Sequence, residues 1–274
     1  MSIVLSKIII YPIKSLGGIL LESSEVTERG LKYDRRYMLV DDNNKFITIR
    51  QHPEFLFYKL EIGENGFEIG HKDKTDRLTI PLLIESGDLI KVKVWSDEVD
   101  ALLASDNINS WFTDQLGFSC RLVYIPDDSE RLVEPERVSG NKNVSFADEY
   151  PMLIVGQNSV EDLNAKIEEE ITYDRFRPNM VFEGGEAYDE FLWNRISIGS
   201  AELQCIKPCT RCIVITMNPQ TAEVGKEPLK TLFKQRIDDK MVFGENTVTI
   251  KDGVVKVGDV IDVKSVKKSP YEKV

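Results

Sequence analysis

What most limits the fold of this chain is how its apolar residues are parcelled out. They come in short runs rich in Ile, Val and Leu, several of them alternating with polar residues, and turn-forming residues end each run within a few positions. Ser6 to Lys14 is apolar and β-branched, Arg36 to Asp41 and Lys45 to Arg50 flank the polar turn Asp42-Asn43-Asn44, and Leu89 to Trp95 sets Ile90, Val92 and Val94 at a period of two. Such spacing predicts a barrel or a sandwich. A helix interrupts the strands where Ser105 or Asp106 can cap a segment with Ile108, Trp111, Phe112 and Leu116 on one face, stopped by Gly117.

The stretch from Pro126 to Glu149 is charged, carries Pro, Gly and Asn, and has little periodicity, so it reads as a long connection between two halves. Long ordered loops are often functional. Beyond it, Ser159-Val160-Glu161-Asp162 has the form of a capping box, and the stripe Val160, Leu163, Ile167, Ile171 predicts a helix to about Glu169. Strands then return: Asn179 to Glu183, Arg195 to Ile198 paired with Glu202 to Ile206 across Gly199-Ser200-Ala201, and Cys212 to Thr216. Pro228 opens a short helix, and Thr247 to Lys251 and Val260 to Val266 are two late strands. The expected fold class is mainly β with α, in two β-barrel-like domains over residues 1–122 and 123–266, followed by a tail, 267–274.

A chain of 274 residues is long enough for two domains that each bury a core. Its 46 acidic against 35 basic residues leave a net charge of -11, which repels phosphate backbones and anionic lipid. Neither nucleic acid nor a membrane surface is an expected partner. The first residues lack a basic stretch followed by a long apolar one, and no run is long enough to span a bilayer, so a cytoplasmic location is expected. Four unevenly spread cysteines fit a reducing compartment rather than a disulfide framework.

Three of those cysteines fall in Cys205-Ile206-Lys207-Pro208-Cys209-Thr210-Arg211-Cys212. A thiolate is a soft ligand and a strong nucleophile, so the cluster points to a soft metal or to sulfur chemistry. The spacing matches that of iron-sulfur radical enzymes, but such a loop precedes a long α/β barrel, and the residues after Cys212 read as strands and one short helix. A zinc site lacks a second ligand pair, since Cys120 is distant and the histidines are only His52 and His71. A thioredoxin-type pair needs a helix after it, whereas Ile213-Val214-Ile215 reads as a strand. Three small buried hydrophobes is the plain alternative.

The cluster has basic company. Lys207 and Arg211 share its loop, and Tyr11-Pro12-Ile13-Lys14-Ser15, Asp34-Arg35-Arg36-Tyr37 and Arg175-Phe176-Arg177-Pro178-Asn179 place further Lys and Arg beside Pro or Ser. Taken singly, each reads as a solvated surface charge. Taken together with a thiolate loop they suit an anionic cofactor that carries a soft metal.

These segments, with Cys209-Thr210-Arg211-Cys212, resemble the MOSC family with its N-terminal β-barrel domain, over nearly the whole chain. The architecture is similar to that of the mitochondrial amidoxime reducing component and its bacterial relatives. The resemblance implies a molybdenum cofactor, a pterin dithiolene with a terminal phosphate, and Cys212 as the metal ligand. It places Lys14 and Ser15 at the pterin phosphate, Arg36 and Arg177 against the anionic cofactor, and Thr210 as a donor beside the ligand. Tyr150, in Asp148-Glu149-Tyr150-Pro151, falls in a segment expected to make backbone contacts alone, and Asn179 is expected to orient its loop. Cys209 is expected to support Cys212, and Cys205 lies outside the motif.

The activity so implied is reduction of N-hydroxylated or N-oxygenated compounds, with electrons from a separate protein because no ferredoxin domain is appended. Sulfur transfer is the rival reading, since MOSC domains also end molybdenum cofactor sulfurases, though the chain has no pyridoxal-phosphate domain to make the sulfur. A non-catalytic cofactor carrier is a third.

Overall fold

Short alternating runs of this kind can bury their apolar sides only by pairing, and they do so in four sheets. The computed structural model describes residues 2–134, 137–138 and 140–270, and among them strands dominate, with three α-helices. The largest sheet has eight strands in the order Ile261–Val266, Trp193–Ile198, Ala201–Thr210, Val242–Lys251, Met152–Gly156, Met180–Glu183, Val4–Ile10 and Ile19–Leu21. Its pairs are antiparallel except Met152–Gly156 with Met180–Glu183. The first strand of the chain therefore sits among strands of the second half. Its partner Met180–Glu183 runs from Met180 opposite Ile8 to Glu183 opposite Val4.

A four-stranded sheet, Tyr37–Val40, Arg121–Tyr124, Asp97–Leu103 and Leu89–Val94, stands beside it, and two three-stranded sheets complete the β structure. The segment after the first strand joins the two large sheets, because Lys14 N–H donates to the Tyr37 carbonyl and Tyr37 N–H to that of Pro12. Leu5, Ile8 and Ile10 pack with Ile154, Phe182 and Leu203 in one buried cluster, and Met38, Val40, Val92 and Val99 form a second. Phe176 and Phe243 stack with ring centroids 3.9 Å apart in a third that also holds Ile215 and Leu232. Burying such side chains contributes on the order of 1.5–3 kcal/mol each.

The helix Asp106–Leu116 forms as its pattern predicts, with Ser105 at the N-cap and Gly117 ending it at φ +77°. The hairpin across Gly199 also forms, with Ile198 opposite Ala201. Three segments differ from the sequence reading. Lys45 to Arg50 is not a strand: only Lys45 and Phe46 make single bridges, and the chain then bends as Thr48 N–H and Oγ1 donate to the Gln51 side chain. The second helix is Gln157–Asn164, beginning before Ser159 and ending short of Glu169. Ser159 donates to the Glu190 carboxyl instead of capping, and Asn164 closes the helix by bonding both the N–H and the carbonyl of Ile171.

The third difference comes after the cysteines. Cys212 to Thr216 is a single 3-10 turn, Ile213–Thr216, in which Thr216 Oγ1 donates to the Ile213 carbonyl. Only Ile215 and Thr216 are buried there, so the apolar run covers the core without joining a ladder. The preceding strand instead continues to Thr210, which puts Cys205 and Cys209 within it.

The long connection from Pro126 is pinned by two buried arginines rather than by strands. Arg29 donates to the carbonyls of Val144, Asp127 and Ser129. Arg131 donates to the Asp97 carboxylate at 2.9 Å and to the carbonyls of Ser145, Ala147 and Asp148 at 2.6, 2.6 and 3.2 Å. A guanidinium's planar fork suits this gathering of carbonyls from one bend. Among the described residues no helix is long and apolar enough to cross a membrane.

Candidate functional site: a cationic cleft beside Cys212

Segments from both halves of the chain converge on a cleft of about 440 Å³. Lys14 enters it from the turn after the first strand and is almost wholly buried. Its ammonium donates to the Phe146 carbonyl at 2.7 Å and to Asp148 Oδ1 at 2.5 Å. Burial lowers the Lys14 pKa, and the Asp148 carboxylate opposes that shift. Burial likewise works against the charge on Asp148, but Lys14, Arg50 and the Trp95 indole more than offset it, holding the carboxyl well below its usual range. The Phe146–Asp148 bend, itself held by Arg131, thus fixes where Lys14 points.

On the neighbouring wall Arg35 donates to Asp34 Oδ2 at 2.6 Å, to Asn179 Oδ1 at 2.9 Å and to the Arg177 carbonyl at 3.1 Å. Arg177 donates to the Leu16 carbonyl at 2.6 Å, and the Arg35 and Arg177 guanidiniums both lie over the Tyr11 ring, 4.4 and 4.2 Å from its centroid. Burial raises the Tyr11 pKa to about 12 against the pull of Arg177 and Arg35, so the ring stays neutral as a cation platform. Burial also lowers that of Arg177 to about 10. Asn179 binds Arg35, the Leu153 N–H and the Ile9 carbonyl, tying the Arg177 loop to two strands. Ser15, Arg35 and Arg177 all have positive φ, at 75°, 49° and 53°. Left-handed residues other than glycine cost about 1–3 kcal/mol each, and four of the ten among the described residues, these three and Trp95, line the cleft.

The sulfur side is built from the end of the strand Ala201–Thr210 and the turn after it. Cys212 is half-buried, lines the cleft, and accepts a hydrogen bond from Arg50 Nη2 at 3.3 Å. The same nitrogen reaches Asp148 Oδ2 at 3.4 Å, and the guanidinium lies 4.6 Å from the centroid of the Trp95 ring. Burial opposes the charge on Arg50, but hydrogen bonding to Cys212 and the field of Asp148 outweigh it and raise its pKa. Cys209 accepts from Arg211 Nη1 at 3.0 Å, and burial raises its thiol pKa despite that neighbour. Cys205 faces the core, where burial pushes its thiol far up. All four cysteines are free.

Of the residues singled out in the sequence, Lys14, Ser15, Tyr150, Arg177, Asn179, Thr210 and Cys212 all line the cleft. Arg36 does not. Its guanidinium turns away, donating to the Ile125 carbonyl at 2.6 and 3.1 Å and pairing with Asp127, while the adjacent Arg35 takes the place at the cleft. The Asp148 segment also offers more than backbone, since the Asp148 carboxylate joins Lys14, Arg50 and Trp95. Sequence reasoning missed Arg50 and Trp95 entirely. The available signal was a Trp before the polar pair Ser96-Asp97, an aromatic placed in a turn between two strands.

Does the cleft fit an anionic, metal-bearing group? Lys14, Arg35, Arg50, Arg177 and Arg211 line it against two carboxylates, Asp148 and Glu149, in a chain whose net charge is -11. Arg211 Nε and Asn246 Nδ2 are buried donors in lining residues without a partner among the described residues, and each calls for an acceptor. Among the described residues no group of three or more His, Cys, Asp or Glu could hold a metal ion. A metal here would need most of its ligands from a cofactor, with a cysteine completing the set. The residues present fit such a group.

Fold and cleft together define a β-rich protein with a cationic, thiol-lined cleft. Residues 141–262 match the MOSC domain and residues 2–119 the MOSC N-terminal beta barrel domain. "Mitochondrial amidoxime reducing component 2" of Bos taurus is 30% identical, covering 93% of this chain and 81% of its own length. "Mitochondrial amidoxime-reducing component 1" of Mus musculus is 29% identical over 91% of this chain and 79% of its own. "Molybdenum cofactor sulfurase" of Oryza sativa subsp. japonica is 30% identical over 88% of this chain but 32% of its own length. The chain belongs to the MOSC family, in the form that carries the N-terminal β-barrel domain, and that family is associated with the molybdenum cofactor.

Proposed function

We propose that the cleft binds the molybdenum cofactor and that the protein is an oxidoreductase reducing N-hydroxylated or N-oxygenated compounds. The observation that carries this is the meeting, in one cleft, of the Cys212 sulfur with Lys14, Arg35 and Arg177 and with two buried donors that lack acceptors among the described residues. Cys212 is the metal ligand in this reading. Lys14 and Ser15 hold the terminal phosphate, Arg35 and Arg177 the remaining anionic charge, Thr210 and Tyr150 border the group, and Asn179 keeps the Arg177 loop in place. When bound, the cofactor supplies a metal able to exchange two electrons. In the net reaction an N–O bond is broken, two electrons and two protons are taken up, and the oxygen leaves as water.

The electrons come from a separate donor protein. The relatives named as amidoxime reducing components support the reaction class, and the free cysteines support a reducing, cytoplasmic setting. The residue ranges 1–122 and 123–266, with a tail from 267, remain the proposed division of the chain, with the first strand lent to the sheet of the second and the cleft built from both. A cofactor sulfur-transfer role is favoured only by the similarity to the rice sulfurase.

The test uses protein purified from a host that makes the cofactor. Molybdenum content near one atom per chain and reduction of benzamidoxime or a hydroxylamine with an artificial reductant are expected. Cys212→Ser removes turnover and lowers the metal while much of the pterin stays, because the phosphate contacts survive. Folded wild-type protein with negligible molybdenum from such a host, or loaded protein inert toward every N-oxygenated compound, refutes the reading.

A further inference from the structure

Arg50 stands apart from the other arginines of the cleft. Arg35, Arg177 and Arg211 are each anchored to a backbone carbonyl, those of Arg177, Leu16 and Phe176 respectively. Among the described residues Arg50 has only two acceptors for its guanidinium, Asp148 at 3.4 Å and the Cys212 sulfur at 3.3 Å, and the same nitrogen, Nη2, approaches both. The Asp148 contact is long for a charge-assisted hydrogen bond, and a guanidinium has donors on every nitrogen. Nε and Nη1 are uncommitted among the described residues.

The group is nevertheless well placed. It lies on Trp95, a turn residue at φ +56° that is braced edge-on by Phe46, with centroids 4.9 Å apart, and whose indole N–H donates to Asp148 at 3.3 Å. Asp148 is occupied by Lys14, Arg50 and Trp95 at once, so it is poorly placed to receive a cationic ligand as well. What the cleft offers beside Cys212 is therefore a guanidinium on an aromatic platform whose Nε and Nη1 have no acceptor among the described residues.

The geometry points to Arg50 as the residue that binds the oxygen of the substrate's N–O group beside Cys212. It favours compounds whose oxygen carries formal negative charge, such as aromatic N-oxides, over the same ring without that oxygen. The substrate class rests on the reading in the preceding section; the assignment of Arg50 as an oxygen-binding donor is tested separately from it.

The probes are quinoline N-oxide and quinoline, which differ by the oxygen alone. Cofactor-loaded, oxidised protein without any reductant is titrated by calorimetry, so binding is read with no turnover. Wild type is expected to bind the N-oxide more tightly than quinoline. Arg50→Met weakens N-oxide binding about tenfold to a hundredfold and quinoline binding less than about twofold, and Arg50→Lys recovers part of the loss. Equal losses for both probes, or none for the N-oxide, overturn the assignment. A melting curve for each variant establishes that it is folded, and the two variants differ in geometry while Arg50→Lys keeps the charge.

The two readings fail separately. If loaded wild type reduces no N-oxygenated compound and Arg50→Met still abolishes the preference for the N-oxide, the proposed activity falls and the Arg50 assignment stands. If turnover is present and Arg50→Met binds the N-oxide as wild type does, the reverse holds.

Discussion

Arg131→Met removes a guanidinium that holds the bend carrying Phe146 and Asp148. Its side chain is 4% exposed and it donates to one carboxylate and three carbonyls. The Asp97 side chain is 42% exposed, so water can replace that partner and little is lost there. The Ser145 and Ala147 residues are buried, and their carbonyls would be left unpaired at roughly 1–3 kcal/mol each. Asp148 lies at the cleft, where solvent can reach its carbonyl. Methionine keeps the aliphatic packing of the stem and avoids desolvating a charge, so the net loss is about 3 kcal/mol. For a chain of this size that lowers Tm by roughly 6–12 °C. Thermal unfolding followed by tryptophan fluorescence measures it, with Arg131→Lys expected to recover less than half because an ammonium cannot gather separate carbonyls as a fork does. A Tm within about 2 °C of wild type would show that the bend is held by something else.

Arg35→Met is expected to reduce the cofactor retained on purification several-fold, whereas Arg36→Met leaves it within about twofold of wild type, since Arg36 serves Ile125 and Asp127; pterin fluorescence after oxidation reads both, and the opposite order would restore Arg36 to the site. Stability should fall between about pH 5 and about pH 9. Burial pushes Glu190 up to about 7 and Glu245 up to about 8. The folded chain therefore keeps protons that the unfolded chain releases near 4.5, and the stability present below that value is lost as pH rises through 7 and 8. Denaturant midpoints across this range check it, Glu190→Gln should flatten the lower half of the decline, and midpoints that climb with pH would contradict the assignment.

Much of the fold could be read from period and punctuation, because strands such as Leu89–Val94 and the hairpin across Gly199 depend on residues near one another in sequence. The failures came where a side chain settles the backbone. Thr48 and Gln51 bend a segment that looks like a strand, Ser159 turns to Glu190 instead of capping, and Thr216 curls the run after Cys212. Cys212 and Lys14 could be found because whole motifs carry them. The choice between Arg35 and Arg36 could not, since it turns on a left-handed backbone at Arg35, and Arg50 joins Cys212 only through tertiary structure. The cysteine cluster itself resolves into three environments: Cys205 in the core, Cys209 at the cleft wall held by Arg211, and Cys212 at the cleft beside Arg50.

The pairing of Val4–Ile10 with Met180–Glu183 has a consequence for how the molecule comes into being. During synthesis the amino-terminal strand emerges first and must wait for a partner made some two-thirds of the chain later, with its ladder groups on that side open to any other edge. A ribosome-bound intermediate bearing only the first family segment carries an unmatched strand, and a carboxy-terminal fragment carries the matching gap. Lys14 and Arg177 flank that same pair, so the cleft is assembled at the step that closes the sheet, and no excised half should capture the proposed ligand on its own.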